Sequence, residues 1–256
     1  MSFKSYFDFQ LGNKKLSDFG GVLYNGDGYV KSSLLPNLNK QTEQLDMIDG
    51  AVYYGGNYEP RIITLHILIE NENFDEAGFV NWIKSKEPQW FNYIGDDKKI
   101  KVVYENTLDI DIYNKKHGFI ELTLVAHNPY WYLINDVVFT KTSPVVNTSY
   151  SFTNSGNTES FPLVKINCTT SQNVTFSLNS KRFKLTNIVG DIYIDFYTET
   201  VYKFVSGVKT NYLSSFECLD GKYKYEFGSL PVGNNTIKII SGTVNSITVN
   251  CNSRFI

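Results

Sequence analysis

Val125-Ala126-His127-Asn128-Pro129-Tyr130-Trp131-Tyr132-Leu133 is the stretch on which the reading of this chain turns. An apolar strand, Ile120 to Ala126, runs into it, and a polar, Asn- and Ser-rich stretch with little charge follows soon after. Asn128-Pro129 is a turn signal, because proline fixes its own φ and pushes the residue before it out of the helical region. Three large aromatics come next. They are too apolar for a free linker and too irregular for a long strand. The stretch reads as the joint between two β domains, residues 1–133 and 134–256. Pro129, Tyr130, Trp131 and Tyr132 form that joint, the aromatics closing the end of the first domain. A proline bend inside one larger domain is the competing reading.

The composition agrees with β structure. The chain has 256 residues, 42% hydrophobic and 15% aromatic, with 18 Tyr and 18 Phe. Tyr, Phe, Ile, Val and Thr suit pleated, half-buried surfaces, and the length allows two ordinary domains. A net charge of −2 argues against nucleic-acid binding as the main task, which would show as a basic stripe. No apolar run reaches the length of a membrane span. The start, Met1-Ser2-Phe3-Lys4-Ser5-Tyr6-Phe7-Asp8, has no apolar core of a signal peptide, so the chain is expected to stay in the cytoplasm or leave without a signal. Cys168, Cys218 and Cys251 are odd in number and scattered. They read as small buried hydrophobes in a reducing compartment, not as a disulfide framework.

In the first half, Ser5 to Gln10 alternates weakly and reads as a short strand, while Gly20-Gly21 and Asn25-Gly26-Asp27-Gly28 read as turns. Ser32 to Asp49 is polar with scattered Leu, a long loop or edge hairpin of the kind that often carries interactions. Tyr58-Glu59-Pro60-Arg61 opens the clearest strand. Ile63, Leu65, Ile67 and Ile69 share one face; Ile62, Thr64, His66 and Leu68 share the other. Asn73 to Lys86 is the one convincing helix, with Asn73 and Glu76 resembling a capping box. Its apolar stripe is Phe79, Val80 and Ile83, with Trp82 off the stripe and turned to a sheet or a partner. Trp90 to Ile94 is a strand, and Ile100–Tyr104, Thr107–Tyr113 and Phe119–Ala126 complete a meander.

In the second half, strand signals recur at intervals of about 8–12 residues, the rhythm of a sandwich or barrel. They are Phe161 to Ile166, Asn173 to Leu178, Asp191 to Tyr197, Lys222 to Phe227, Asn235 to Ile240 and Ser246 to Cys251. Leu230 to Asn235 reads as a turn between two of them. No helical period appears. The fold class is therefore mainly β: two β-sandwich domains, the first with one α-helix.

Chemistry is sparse. His66, His117 and His127 have no metal-ligand spacing, and there is no Cys-x-x-Cys. Asp109 and Asp111 could pair for sugar hydrolysis, but alternate polar residues on a strand are more simply its solvated face. There is no nucleophile elbow, phosphate loop or dinucleotide fingerprint. No catalytic residue, metal or cofactor is implied, and the chain reads as a non-enzyme.

A set of motifs runs in order along the chain. In the first half these are Asp49-Gly50, then Tyr58-Glu59-Pro60-Arg61-Ile62, one helix, and Ala126-His127-Asn128-Pro129-Tyr130-Trp131-Tyr132. In the second they are Asn154-Ser155-Gly156-Asn157 before Phe161-Pro162-Leu163-Val164-Lys165-Ile166; Gly190-Asp191-Ile192-Tyr193-Ile194-Asp195; Val201-Tyr202; and Leu230-Pro231-Val232-Gly233-Asn234-Asn235-Thr236-Ile237. Taken together, these motifs resemble the distal tail protein (Dit) family of long-tailed phages, in its version with a galectin-like second domain. The resemblance covers the whole chain and implies a job without chemistry. Six copies of the first domain form a homohexameric ring at the virion tail tip, assembled in the host bacterial cytoplasm. One face meets the tail tube protein and the other the tail-associated lysin or fibre protein. The galectin-like second domain points toward receptor-binding proteins or the host surface; neither nucleic acid nor membrane is a partner. Ser33, Leu34, Leu35, Pro36, Asn37, Leu38 and Gln44 in the polar arm are the expected oligomer contacts. Tyr193, Tyr197, Tyr202 and Tyr212 are candidate contacts to a saccharide or a protein partner. The alternative function is a lectin-like module for cell-wall saccharide. The long insertions with which some family members bind sugars have no room here.

Overall fold

The computed structural model describes residues 8–24, 35–47, 49–69, 74–105, 110–113 and 117–256. The chain divides into two compact units, Met1–Ile134 with Ile256, and Asn135–Phe255. Both are mainly β, built from curled sheets around cores of their own.

The first unit contains β1 (Phe9–Leu11), β2 (Lys14–Lys15), β3 (Gly21–Leu23), β4 (Leu38–Glu43), β5 (Val52–Tyr58), β6 (Arg61–Ile69), α1 (Glu76–Ile83), β7 (Gln89–Tyr93), β8 (Lys98–Tyr104), β9 (Ile110–Tyr113), β10 (His117–Ala126) and β11 (Trp131–Leu133). The sheet runs β2-β1-β7-β8-β10-β6-β3. Strand β6 is the alternating strand expected: Ile63, Leu65, Ile67 and Ile69 are buried, and Ile62 and His66 are exposed. It pairs with β10 along its whole length, Ile69 opposite Gly118 through to Arg61 opposite Ala126. The meander is altered in one respect. Strands β8 and β9 both pair with β10, at Tyr104–Leu124 and Ile110–Ile120, so they share one edge of β10 while β6 takes the other.

Helix α1 is shorter than the sequence suggests. Its cap is Asp75, whose carboxylate accepts from the Gly78 amide at 2.9 Å; Asn73 lies outside the described residues. The inward stripe is Phe79, Trp82 and Ile83, and Val80 is exposed. Trp82 therefore belongs to the core, correcting its assignment off the stripe. Its ring stacks on Phe9 at 5.5 Å and on Phe19 at 4.9 Å, and its Nε1 donates to the Leu11 carbonyl at 2.7 Å. Burial of the ring with its N–H satisfied ties the helix to β1.

The second unit contains β12 (Val138–Thr142), β13 (Ser149–Asn154), β14 (Leu163–Leu178), β15 (Lys181–Asp195), β16 (Thr200–Val205), β17 (Val208–Asn211), β18 (Phe216–Cys218), β19 (Gly233–Ser241) and β20 (Ser246–Asn250). The main path is β12-β20-β14-β15-β16-β17. The two strands expected at Phe161–Ile166 and Asn173–Leu178 are one long strand, β14, whose first part pairs with β20 and whose last part pairs with β19. Between them the register with β15 slips at Cys168, Gln172 and Val174. In β15 the buried positions change parity, from Phe183 and Leu185 to Ile188, Ile192 and Ile194, across Asn187 with φ 53°. An inserted residue bends the strand, so that one hairpin serves both halves of the curled sheet. The strand expected at Lys222–Phe227 is a loop.

Gly156 shows why the Asn154–Asn157 motif reads as it does. A Cβ there would come within 2.3 Å of the Arg254 carbonyl oxygen, so only glycine fits. Asn154 clamps the same place: its side-chain amide donates to the carbonyls of Thr158, Leu230 and Pro231, and its Oδ1 accepts from the Gly156 amide.

Cys168, Cys218 and Cys251 are free and buried in this core. Burial raises the Cys168 thiol above its ordinary range; burial, then the Asp136 charge, pushes Cys251 up to about 12. A thiol reagent at pH 8 is expected to leave the folded protein unlabelled and to label three thiols per chain once it is denatured. Fast stoichiometric labelling of the native chain would contradict this packing.

Candidate functional site

Strands β4 and β5 form a two-stranded sheet of their own, Leu38 opposite Tyr58 through to Glu43 opposite Val52. Strand β4 is exposed at every position; β5 is exposed except at Val52 and Gly55, which are half-buried. The hairpin still carries large apolar side chains, with Tyr53 56% and Tyr54 60% exposed and Leu38, Leu45 and Tyr58 also in solvent. Gly55, with φ 115°, sits where the register shifts between Gln41 and Thr42. The Glu59 amide donates to the Asn37 carbonyl at 2.8 Å, bringing the two ends of the hairpin together. A lone two-stranded hairpin is marginal in water, and Tyr53, Tyr54 and Tyr58 leave large aromatic area exposed on this one.

Of the arm residues singled out in the sequence, Leu35, Asn37, Leu38 and Gln44 are exposed and Pro36 is buried. Ser33 and Leu34 lie outside the described residues, as does Asp109. Sequence reasoning missed β5, whose Gly55-Gly56 looks like a turn. The exposed tyrosines at 53, 54 and 58 were the available signal.

The first unit has a second uncovered apolar surface. On the outer face of β3, β6 and β10, Val22 lies opposite Leu68, which lies opposite Phe119. The Tyr24 ring packs on Phe119 at 5.9 Å, and Ile62 is exposed farther along the same face of β6. The His66–Glu121 contact here, 3.7 Å between half-exposed groups, contributes little.

The joint residues pack on the first unit. Asn128 Oδ1 accepts from the Tyr130 amide at 3.3 Å, and its Nδ2 donates to the Tyr132 hydroxyl at 2.9 Å. Pro129 is buried, and its carbonyl accepts from Arg61 Nε at 3.2 Å. Two motifs far apart in sequence meet in that bond, and burial lowers the Arg61 guanidinium from its ordinary value. Trp131 stacks toward Tyr93 at 6.4 Å, and Tyr132 meets the Trp90 ring edge-on at 5.7 Å.

The four tyrosines of the second half are not one platform. Tyr193 and Tyr202 are cross-strand partners stacked at 5.2 Å and 7°, with Phe204 edge-on to both. Lys209 Nζ lies 3.9 Å from the centre of the Tyr202 ring. Burial, then Asp195 and Tyr193, raises the Tyr202 phenol. Tyr197 follows β15 in a turn beside Phe161, and Tyr212 packs on the core. Stacking a pyranose needs a bare ring face. Tyr202 has its faces engaged by Tyr193 and Lys209.

No group of three or more His, Cys, Asp or Glu among the described residues is placed to hold a metal ion, and no described helix is long and apolar enough to cross a membrane. No protein-family model and no curated protein matches the sequence. Solved structures do match the fold. The Dit (gp 19.1) protein of phage SPP1, described as a paradigm of the hub adsorption apparatus in phages infecting Gram-positive hosts, superposes with a TM-score of 0.74 at 12% identity; the match covers 99% of this chain and 100% of that one. Chains from the phage P2 baseplate in its activated conformation, with Ca and with Sr, match at TM-scores of 0.56 and 0.55 and 10% identity, covering 97% of this chain and 98% of theirs. The chain thus has the fold of the SPP1 Dit protein over its whole length.

Proposed function

We propose that this chain is a structural hub of a phage tail tip. Copies of the first unit, assigned as residues 1–133, close into a six-membered ring at the end of the tail tube. One face of the ring meets the tube protein and the other the tail-associated lysin or fibre protein. The second, galectin-like unit, residues 134–256, faces the receptor-binding apparatus. The chain carries out no reaction and works in the virion after assembly in the bacterial cytoplasm.

The observation that carries this reading is the fold match to SPP1 Dit, end to end in both chains. Partial likeness to a common sandwich would mean little; agreement through two successive domains in one order is far more specific. The surfaces of the first unit support it. A closed head-to-tail ring needs two different patches per subunit, and the unit carries two: the bare β4–β5 hairpin and the apolar outer face of β3, β6 and β10. The engaged ring of Tyr202 weighs against the lectin alternative.

The test is the assembly state of the purified chain. Light scattering with negative-stain microscopy is expected to show six-fold rings with a central hole. A monomer that persists at high concentration, with saccharide binding through the Tyr193–Tyr202 face, would replace this reading with the lectin one.

A further inference from the structure

The sheet of the first unit is divided by charge. Strands β1, β2, β7 and β8 contain no Asp or Glu and carry Lys14, Lys15, Lys98, Lys99 and Lys101. Strands β3, β6, β9 and β10 contain no Lys, carry Asp111 and Glu121, and hold their one arginine, Arg61, buried. Both halves turn apolar side chains into one core: Phe9, Phe91 and Ile100 from the first, Leu65, Ile67 and Leu122 from the second. Successive side chains on a strand alternate between its two sides. The outer faces of the two halves therefore point away from each other, and one copy presents opposite charge on opposite sides.

Each outer face is built around an aromatic ring with charge beside it. On the basic face Trp90 lies opposite Lys101, and Lys99 is two residues along β8. Lys99 Nζ lies 4.8 Å and Lys101 Nζ 5.1 Å from the centre of the Trp90 ring. Lys15, which is exposed, extends the same face, opposite Gln10, which is opposite Asn92. On the acidic face Phe119 lies opposite Asp111, and Glu121 is two residues along β10. The Glu121 side chain is 64% exposed with His66 Nδ1 at 3.7 Å, and Asp111 is exposed. Val22, Tyr24 and Leu68 widen the apolar area around Phe119.

We propose that the outer face of β3, β6, β9 and β10 docks the face formed by Trp90, Lys99 and Lys101 on a second copy of this chain. Charge complementarity selects that occupant. The two faces match in sign and in having an aromatic centre, and neither matches itself, since two basic or two acidic faces repel. A contact between unlike faces is head-to-tail, so it repeats from copy to copy until the rotation closes. The rings supply the apolar area of the contact, and the charges fix its register. The inference deepens the tail-tip reading and rests on it, naming which faces of the first unit close the ring.

The experiment follows assembly of the full chain by light scattering and negative-stain microscopy, for the parent and two charge-reversed variants. Lys99→Glu with Lys101→Glu makes both faces acidic; Asp111→Lys with Glu121→Lys makes both basic. Each alone is expected to need a protein concentration roughly tenfold higher or more to assemble. Mixed in equal amounts they should form rings at the parent's concentration, because alternating them restores an unlike pair at every contact of an even-membered ring. Lys222→Glu with Lys224→Glu makes the same charge change at exposed positions of the second unit and should leave assembly unchanged. Far-UV circular dichroism checks that each variant is folded. Lys101→Glu against Glu121→Lys, single changes at exposed positions, repeats the test should a double variant not fold. The proposal is overturned by rings from either variant alone at the parent's concentration, by folded variants that stay apart when mixed, or by loss of rings in the second-unit control. Parent rings that survive both reversals would sink this inference alone, and a parent that stays monomeric would sink the hub reading and this inference with it.

Discussion

Replacing residues 38–58 by a short Gly-Ser bridge is expected to abolish the proposed ring assembly and to leave a folded monomer. The structure makes this excision clean. Asn37 and Glu59 are already joined by a hydrogen bond of 2.8 Å, so the bridge closes a gap between neighbours. No side chain of β4 or β5 belongs to either buried core, so the loss removes no core packing. Exposed positions away from caps and strained backbone typically change stability by no more than about 0.5 kcal/mol, and the unfolding midpoint should stay near that of the parent. Light scattering then reports monomer where the parent gives a ring, a loss of assembly and not of folding. Rings that persist would remove the hairpin from the interface and leave the β3-β6-β10 face as the remaining candidate. An unfolded product would mean that the hairpin supports its own subunit, against its exposure.

Where one face of a strand is buried and the other wet, the sequence shows it, because alternation has a single cause. Ile63, Leu65, Ile67 and Ile69 in β6 and Ile192 and Ile194 in β15 are such positions. Three features had other causes and were not legible. The parity change across Asn187 arises from an inserted residue that only its strand partners reveal. The Lys222–Phe227 segment alternates as a strand does, but Glu226 folds back onto the amides of Lys222 and Tyr223 and makes it a loop. Hairpin β4–β5 buries neither face, so nothing forces a period on it. Trp82 is a different case. Phe79, Trp82 and Ile83 have the i, i+3, i+4 spacing of a buried helix face, and choosing Val80 over Trp82 overlooked it. The candidate contact surfaces were legible only as composition. That Ser32–Asp49 is a polar arm can be read from the sequence, whereas which of its side chains are bare depends on pairing with β5.

Phe183→Ala is expected to cost the second unit about 3–5 kcal/mol, the range for truncating a fully buried aromatic. Phe183 is fully buried on β15. Its ring stacks on Phe176 at 5.3 Å and Phe216 at 5.5 Å, and meets Phe196 edge-on at 5.4 Å. Phe176 stands on the part of β14 that follows the bulge, and Phe196 lies just past the end of β15. One ring thus joins both ends of the bent hairpin to the β18 strand, and the cavity left by alanine would have aromatic walls on several sides. Such walls relax poorly, which places the expected loss toward the upper part of the range. A domain is typically stable by only about 5–15 kcal/mol, so the variant should unfold at a much lower urea concentration with an unchanged slope. Val208→Ala, at an exposed side chain on β17, serves as the control and should change little. All three tryptophans, Trp82, Trp90 and Trp131, are in the first unit, so far-UV circular dichroism is the readout that follows the second. A loss below about 1 kcal/mol for Phe183→Ala would mean that this core is not packed around the ring, and with it would go the account of how one bent hairpin holds the two halves of the curled sheet together.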